Sequence, residues 1–228
     1  MFKQFGAAEF DRPGSASAIE QAGALDALVA LERIGTRRSF TRDDEIYAEG
    51  DISDSWYRVV SGAVRICKLL PDGRRHIAEF CFAGDCFGLD TGKERGFSAE
   101  AIGDVVLVRY SVRATERLID ETPQLARRLR DMTLRDLAQA QSHMLLLGRM
   151  TAPERVASFL LELSERRDAR RALDLPMSRV DIADYLGLTI ETVCRTLSAY
   201  KRAGTIAIPT PHRIELRDRA ALAAACEA

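Results

Sequence analysis

The stretch Ser178-Arg-Val-Asp-Ile-Ala-Asp-Tyr-Leu-Gly-Leu-Thr-Ile-Glu-Thr-Val-Cys-Arg-Thr-Leu-Ser-Ala-Tyr200 decides how this chain is read. Ser178 with Asp181 is a helix start, because their side chains can satisfy the first free backbone N–H groups. A short helix runs to Leu186. Gly187 breaks it by supplying the positive φ that a tight turn between helices demands. Thr189 caps a second helix, which runs to about Arg202 and ends at Gly204. Small Ala183 lets the two helices approach, and Ile182, Leu186, Leu188, Val193 and Leu197 supply a shared core. Caps, turn and core at this spacing make a helix-turn-helix.

The outer side of the second helix is left with Glu191, Thr192, Arg195 and Ser198. A carboxylate accepts from the amino groups of cytosine or adenine, and Arg binds guanine bidentately. Four residues apart, Glu191 and Arg195 share one face and can reach adjacent bases. Thr205 to Ile208 and His212 to Leu216 read as two strands around Pro209-Thr-Pro211, a wing. Ser178, Arg179, Thr189, Thr192, Ser198 and Arg213 are the candidate phosphate contacts.

Upstream, Thr151-Ala-Pro-Glu154 restarts a helix with a capping box and an early proline. That helix runs to about Arg167 with Val156, Phe159, Leu160 and Leu163 inward. Gly148-Arg149-Met150 is the hinge that precedes it. From Gln124 to Gly148 there is no proline, and strong helix formers dominate. Leu125, Leu129 and Met132 form one apolar stripe; Leu134, Leu137, Ala138, Gln141 and Leu145 form another. A helix apolar on two sides needs two neighbours. One is its own β-domain, and the other is the same helix of a second subunit or a further element of one monomer.

From Phe40 to Tyr110 short alternating strands are punctuated by turns such as Ser61-Gly62, Pro71-Asp72-Gly73 and Gly84-Asp85. That pattern predicts an antiparallel barrel or jelly roll. Ile19 to Ile34 predicts a short amphipathic helix. The fold is therefore α+β. Residues 1–111 are an N-terminal segment and a β-roll, 112–148 a dimerisation helix, and 149–228 a winged helix-turn-helix.

Composition constrains the partners. The 228 residues carry a net charge of −1, and from Thr151 onward 12 Lys and Arg face 11 Asp and Glu. Contact with DNA must come from one basic face and not from bulk charge. No apolar run approaches the roughly 20 residues of a membrane span. Met1 to Gly14 lacks the order of a signal peptide. The five cysteines, an odd count, favour a reducing cytoplasm.

Val60-Ser61-Gly62-Ala63-Val64-Arg65, Gly84-Asp85-Cys86-Phe87-Gly88, Phe97-Ser98-Ala99-Glu100-Ala101 and Asp181 to Leu197 carry a family resemblance. The chain resembles the cyclic-AMP receptor protein/fumarate-nitrate regulator superfamily, and within it the FixK-like regulators, from about Leu25 to Leu216. The resemblance implies a homodimeric activator with a cyclic-nucleotide-type roll, a palindromic TTGA-type target and RNA polymerase as a partner. It also implies that Glu191 and Arg195 read bases. Ile190 stands where the cyclic-AMP receptor branch has an arginine, which suits a T-rich half-site. Cys194 replaces the usual Ser or Gly among the base-reading positions.

The resemblance raises three sensor chemistries. Cyclic-AMP binding would use an acidic residue and an Arg-Ser pair; here these positions hold Asp85 and Arg95-Gly96. An iron–sulfur cluster of the fumarate-nitrate regulator type needs an N-terminal cysteine cluster, and no cysteine precedes Cys67. Haem would need an axial His or Cys on the roll, and His76 sits at a solvated hairpin end. Cys67, Cys81 and Cys86 read as packing residues. The FixK-like reading is then binding to DNA without ligand or cofactor, with effector gating or oxidation of Cys194 beside Arg195 as alternatives. A cupin-like enzyme is the remaining class, but His76, His143 and His212 fall in three different elements. No catalytic residue or metal ligand is assigned.

Overall fold

The computed structural model describes residues 31–90, 92–169 and 171–226. The helix expected from Ile19 to Ile34 lies outside them except for its last turn, which is helical from Leu31.

Eight strands build the roll: β1 (Thr36–Phe40), β2 (Glu45–Tyr47), β3 (Ser55–Ser61), β4 (Ala63–Leu69), β5 (Arg75–Phe82), β6 (Cys86–Phe87), β7 (Ser98–Ala101) and β8 (Val105–Ser111). They form two four-stranded antiparallel sheets, ordered β1-β8-β3-β6 and β2-β7-β4-β5. Between the sheets lie Tyr57, Val59, Val105 and Leu107 from one side and Val64, Ile66, Cys81, Ala99 and Ala101 from the other. Alternation along each strand points these residues inward, as a half-buried sheet requires. Gly62 (φ +89°) makes the β3–β4 turn, and a Cβ there would lie 2.4 Å from the Asp104 carbonyl oxygen. Only glycine fits that turn.

Segment 112–149 is two helices, α1 (Val112–Glu121) and α2 (Pro123–Arg149), parted at Thr122. Pro123 has no N–H to continue α1, and it biases the residue before it toward extended backbone. Leu125 is buried with Trp56, Val108 and Tyr110 on the roll, and Leu129 packs beside them. Trp56 Nε1 donates to Thr115 Oγ1 at 2.9 Å, tying α1 to β3.

The C-terminal unit comprises α3 (Ala152–Arg166), β9 (Ala172–Asp174), α4 (Arg179–Leu186), α5 (Ile190–Arg202), β10 (Ile206–Thr210), β11 (Arg213–Leu216) and α6 (Arg219–Ala224). Thr151 N donates to Glu154 Oε2 at 2.6 Å at the start of α3, and Val156, Phe159, Leu160 and Leu163 are buried. The wing departs from expectation in two ways. Strand β10 runs through Pro209 to Thr210, and β9 adds a third strand, giving the order β10-β11-β9. Strand β10 is an edge, so the missing N–H of Pro209 costs no ladder bond. β9 escaped notice because three residues are too short to show a period.

The outer face of β4 and β5 is also covered. Ala63, Cys67, Ile77, Phe80 and Phe82 join one continuous apolar core with Phe159, Leu163, Tyr185 and Leu186. Phe80 and Tyr185 lie 5.2 Å apart between ring centroids. The roll and the helix-turn-helix are therefore packed against each other, which accounts for the burial of Cys67, while Cys81 is buried between the two sheets.

Candidate DNA-binding interface

The inter-helix turn is built as its residues dictate. Ser178 N donates to Asp181 Oδ2 at 2.9 Å, and Asp181 N donates back to Ser178 Oγ at 3.1 Å. Gly187 adopts the left-handed conformation (φ 61°, ψ 39°) and closes α4. Thr189 Oγ1 then accepts from Thr192 N at 3.3 Å and starts α5. Val193, Thr196 and Leu197 are buried on the inner face of α5.

That burial leaves Ile190, Glu191, Cys194, Arg195 and Ser198 exposed on the outer face, with Thr192 half-buried. Glu191 is held below the usual carboxylate range by hydrogen bonds from its own backbone N–H and from Thr189. It is an anionic acceptor at neutral pH. Arg195 Nη2 donates to Thr192 Oγ1 at 3.4 Å, a long bond that a base edge can displace. An acceptor and a guanidinium stand side by side on a ridge free of other structure.

The flanking residues have their own engagements. Ser178 is exposed, and its hydroxyl donates to Asp181 Oδ2 at 2.8 Å. Arg179 Nη2 donates to the Pro211 carbonyl at 2.9 Å and so ties the wing tip to α4, while its Nη1 is buried without a partner. Arg213, half-exposed on the wing, donates to Asp174 Oδ1 at 3.1 Å.

On α2, Leu134, Leu137, Met144 and Leu145 are 53–70% exposed, Gln141 is exposed and Ala138 is half-buried. Met144 belongs to this stripe and went unassigned in the sequence. Four large apolar side chains along one helix face make an uncovered surface of the kind that pairs with another protein surface.

Arg95 and Asp85 both have partners within the protein, although Arg95 Nε is buried without one. Arg95, with a side chain 1% exposed, donates through Nη1 to Gly88 O and Asp90 Oδ2, each at 2.7 Å. Its Nη2 donates to Ser55 O, and its guanidinium stacks 4.2 Å from the Tyr47 ring centroid. Asp85 accepts from Phe82 N and from Arg166 Nη2, each at 2.8 Å. Burial pushes the Cys67 thiol up to about 11 and the Cys86 thiol up to about 12, so both are inert near neutral pH. His76 lies on β5, His143 on α2 and His212 in the wing turn. Among the described residues no helix is long and apolar enough to cross a membrane.

Arg65, Arg75, Arg155 and Asp184 matter here and were not singled out in the sequence. Their partners lie on other elements, and only Arg65, a charge inside an apolar strand, carried a local signal.

Residues 154–225 match the family model of the Crp-like helix-turn-helix domain, and residues 37–122 match that of the cyclic nucleotide-binding domain. The nitrogen fixation regulation protein FixK of Azorhizobium caulinodans is 48% identical over 194 residues, covering 83% of this chain and 78% of that protein. FixK of Bradyrhizobium diazoefficiens is 47% identical over 190 residues, covering 81% of this chain and 80% of that protein. The solved structure of FixK2 from Bradyrhizobium japonicum superimposes with a TM-score of 0.80 at 45% identity, covering 84% of this chain and 96% of that one.

Proposed function

Because this chain belongs to the cyclic-AMP receptor protein/fumarate-nitrate regulator family, as a FixK-like transcription regulator, we propose that it is a homodimeric activator that reads DNA without a small-molecule effector. Residues 1–111 comprise an N-terminal segment and its sensor-like roll, 112–148 pair two subunits, and 149–228 bind DNA. Two copies of α5 enter successive major grooves about 34 Å apart, on a palindrome of TTGA-type half-sites. Glu191 and Arg195 read base edges; Ile190 and Cys194 face the same groove. Ser178, Arg179, Thr189, Thr192, Ser198 and Arg213 line the phosphates. RNA polymerase is the second partner, the cytoplasm the place of action, and genes of low-oxygen metabolism and nitrogen fixation the targets.

The observation that carries this reading is the exposed Glu191–Arg195 ridge on a helix whose opposite face is buried. Independence from an effector draws support from Arg95, whose two Nη groups are already held by Asp90, Gly88 and Ser55. Fluorescence anisotropy of the reduced protein on a palindromic TTGA-type duplex and a scrambled control tests it. Tight specific binding without nucleotide is expected. Binding that requires added cyclic AMP would overturn effector independence.

A second reading rests on Cys194, the exposed cysteine among the described residues, on the same ridge. Its oxidation would place a polar group in the groove. Peroxide should then abolish specific binding, and Cys194→Ala should resist it. Equal peroxide sensitivity of both proteins would eliminate the switch.

A further inference from the structure

Asp181 does two jobs with two oxygens. Oδ2 caps α4 through Ser178, while Oδ1 accepts from Arg75 Nη2 at 2.6 Å and lies 3.4 Å from Arg65 Nη1. Both arginines belong to the roll, Arg75 at the start of β5 and Arg65 within β4. Arg75 also bonds through Nε to Asp184 Oδ2 at 2.9 Å, so one guanidinium spans two carboxylates a turn apart on α4. Arg65 is anchored from behind by Glu100 Oε2 at 2.7 Å and Asp43 Oδ1 at 2.9 Å. Asp181 is 5% exposed, so its pairs with Arg75 and Arg65 are shielded from solvent and from salt, while Asp43 at the far end of the lattice is open to water.

The lattice has a geometric consequence. α4 carries α5 through the Gly187 turn and their shared core of Ile182, Leu186, Val193 and Leu197. Whatever fixes the bearing of α4 fixes the bearing of α5. Apolar packing between roll and α4 tolerates sliding, whereas a planar guanidinium bridging two carboxylates does not.

We propose that Arg75 is a positioning residue for DNA recognition: by clamping Asp181 and Asp184 it sets the angle of the reading helix from the roll, the role a ligand would otherwise have. This rests on the reading above that the chain binds its palindrome without an effector.

The test uses the full-length dimer and four proteins: wild type, Arg75→Ala, Asp184→Arg, and the swap Arg75→Asp with Asp184→Arg. Specific and scrambled-duplex affinities are measured by anisotropy, and backbone protection of residues 179–186 by hydrogen exchange without DNA. Arg75→Ala and Asp184→Arg should each lose on the order of tenfold on the palindrome with little change on the scrambled duplex. The swap should recover most of it. A purely structural role would lower both affinities together and would not be rescued. If wild type binds and Arg75→Ala binds as tightly, the clamp is wrong and the functional reading stands. If wild type does not bind, the functional reading fails and hydrogen exchange decides. Faster exchange in Arg75→Ala, restored by the swap, supports the clamp, and unchanged exchange overturns it.

Discussion

Arg155 Nη1 donates to the Leu186 carbonyl at 2.9 Å, at the end of α4. Its Nη2 reaches Leu147 O at 2.8 Å and its Nε reaches Met150 O at 2.9 Å, both at the end of α2. One guanidinium thus satisfies carbonyls that two helix ends leave free. It pins the turn of the helix-turn-helix to the helix that carries the exposed leucine stripe. Replacing Arg155 with Leu keeps an apolar stem and removes three charge-assisted bonds, so stability should fall by about 3 kcal/mol. Urea unfolding of the full-length protein checks this. Arg155→Lys should recover only part, because an ammonium cannot fork to three carbonyls. A midpoint unchanged by Arg155→Leu would remove the residue from the hinge.

Arg195→Ala should weaken binding to the palindrome by about 1–3 kcal/mol and leave the scrambled duplex nearly unaffected. Arg195 makes one long bond within the protein, so its removal leaves the fold intact. Competition anisotropy on the two duplexes separates the outcomes. Equal loss on both would make it a phosphate contact.

If the stripe on α2 pairs two subunits as proposed, Leu145→Glu should give monomers while preserving the helical signal of the protomer. Leu145 is 67% exposed in the single chain, so the change touches no internal contact of note. At a two-fold interface each substitution is felt twice, removing about 3–6 kcal/mol of burial. Sedimentation of wild type and variant at micromolar concentration reads the result. A variant that remains dimeric would place the subunit contact elsewhere.

Two half-buried groups should give the stability profile opposing slopes. Burial, then the Asp136 carboxylate, pushes Glu79 up to about 7, with Asp85 and Glu162 adding to the rise and Arg166 opposing it. The folded state holds that proton after the unfolded chain has released it. Stability from Glu79 therefore falls as pH rises from the ordinary carboxylate range to about 7. His143, stacked on Tyr185 with a 4.1 Å ring separation, is pushed down to about 4 by burial and then by His76. There the unfolded chain takes up the proton first, so stability from His143 rises from about pH 4 to the ordinary histidine range. Over their shared window the two offset each other. Glu79→Gln should unmask a stability that climbs between about pH 4.5 and 6.5, and His143→Phe one that declines. Urea midpoints across that range measure both. Parallel profiles for all three proteins would refute the assignment.

The helix-turn-helix was legible because its signals are local. Ser178 and Asp181, Gly187, and Thr189 and Thr192 satisfy backbone groups within four residues of themselves. Alternation in the strands likewise announced the roll, and the uncovered stripe on α2 followed from its period. β9 and the break at Thr122 were less visible, one for its brevity and the other for lying inside a run of strong helix formers.

By itself, then, the amino-acid order determined where the helix-turn-helix starts, turns and stops, the alternation of the roll, and which face of α5 stays polar. Hydrogen-bond satisfaction and burial act between near neighbours along the chain. Only the tertiary structure decided that Asp181 faces Arg65 and Arg75, 116 and 106 residues away. Nor could the chain order announce that Arg95 is consumed by Asp90, Gly88 and Ser55, or that Arg155 binds two helix ends. An arginine on a strand reads the same in sequence whether water or a buried carboxylate receives it. Its partner is chosen by the packing of two sheets and a helix whose surfaces meet only after folding.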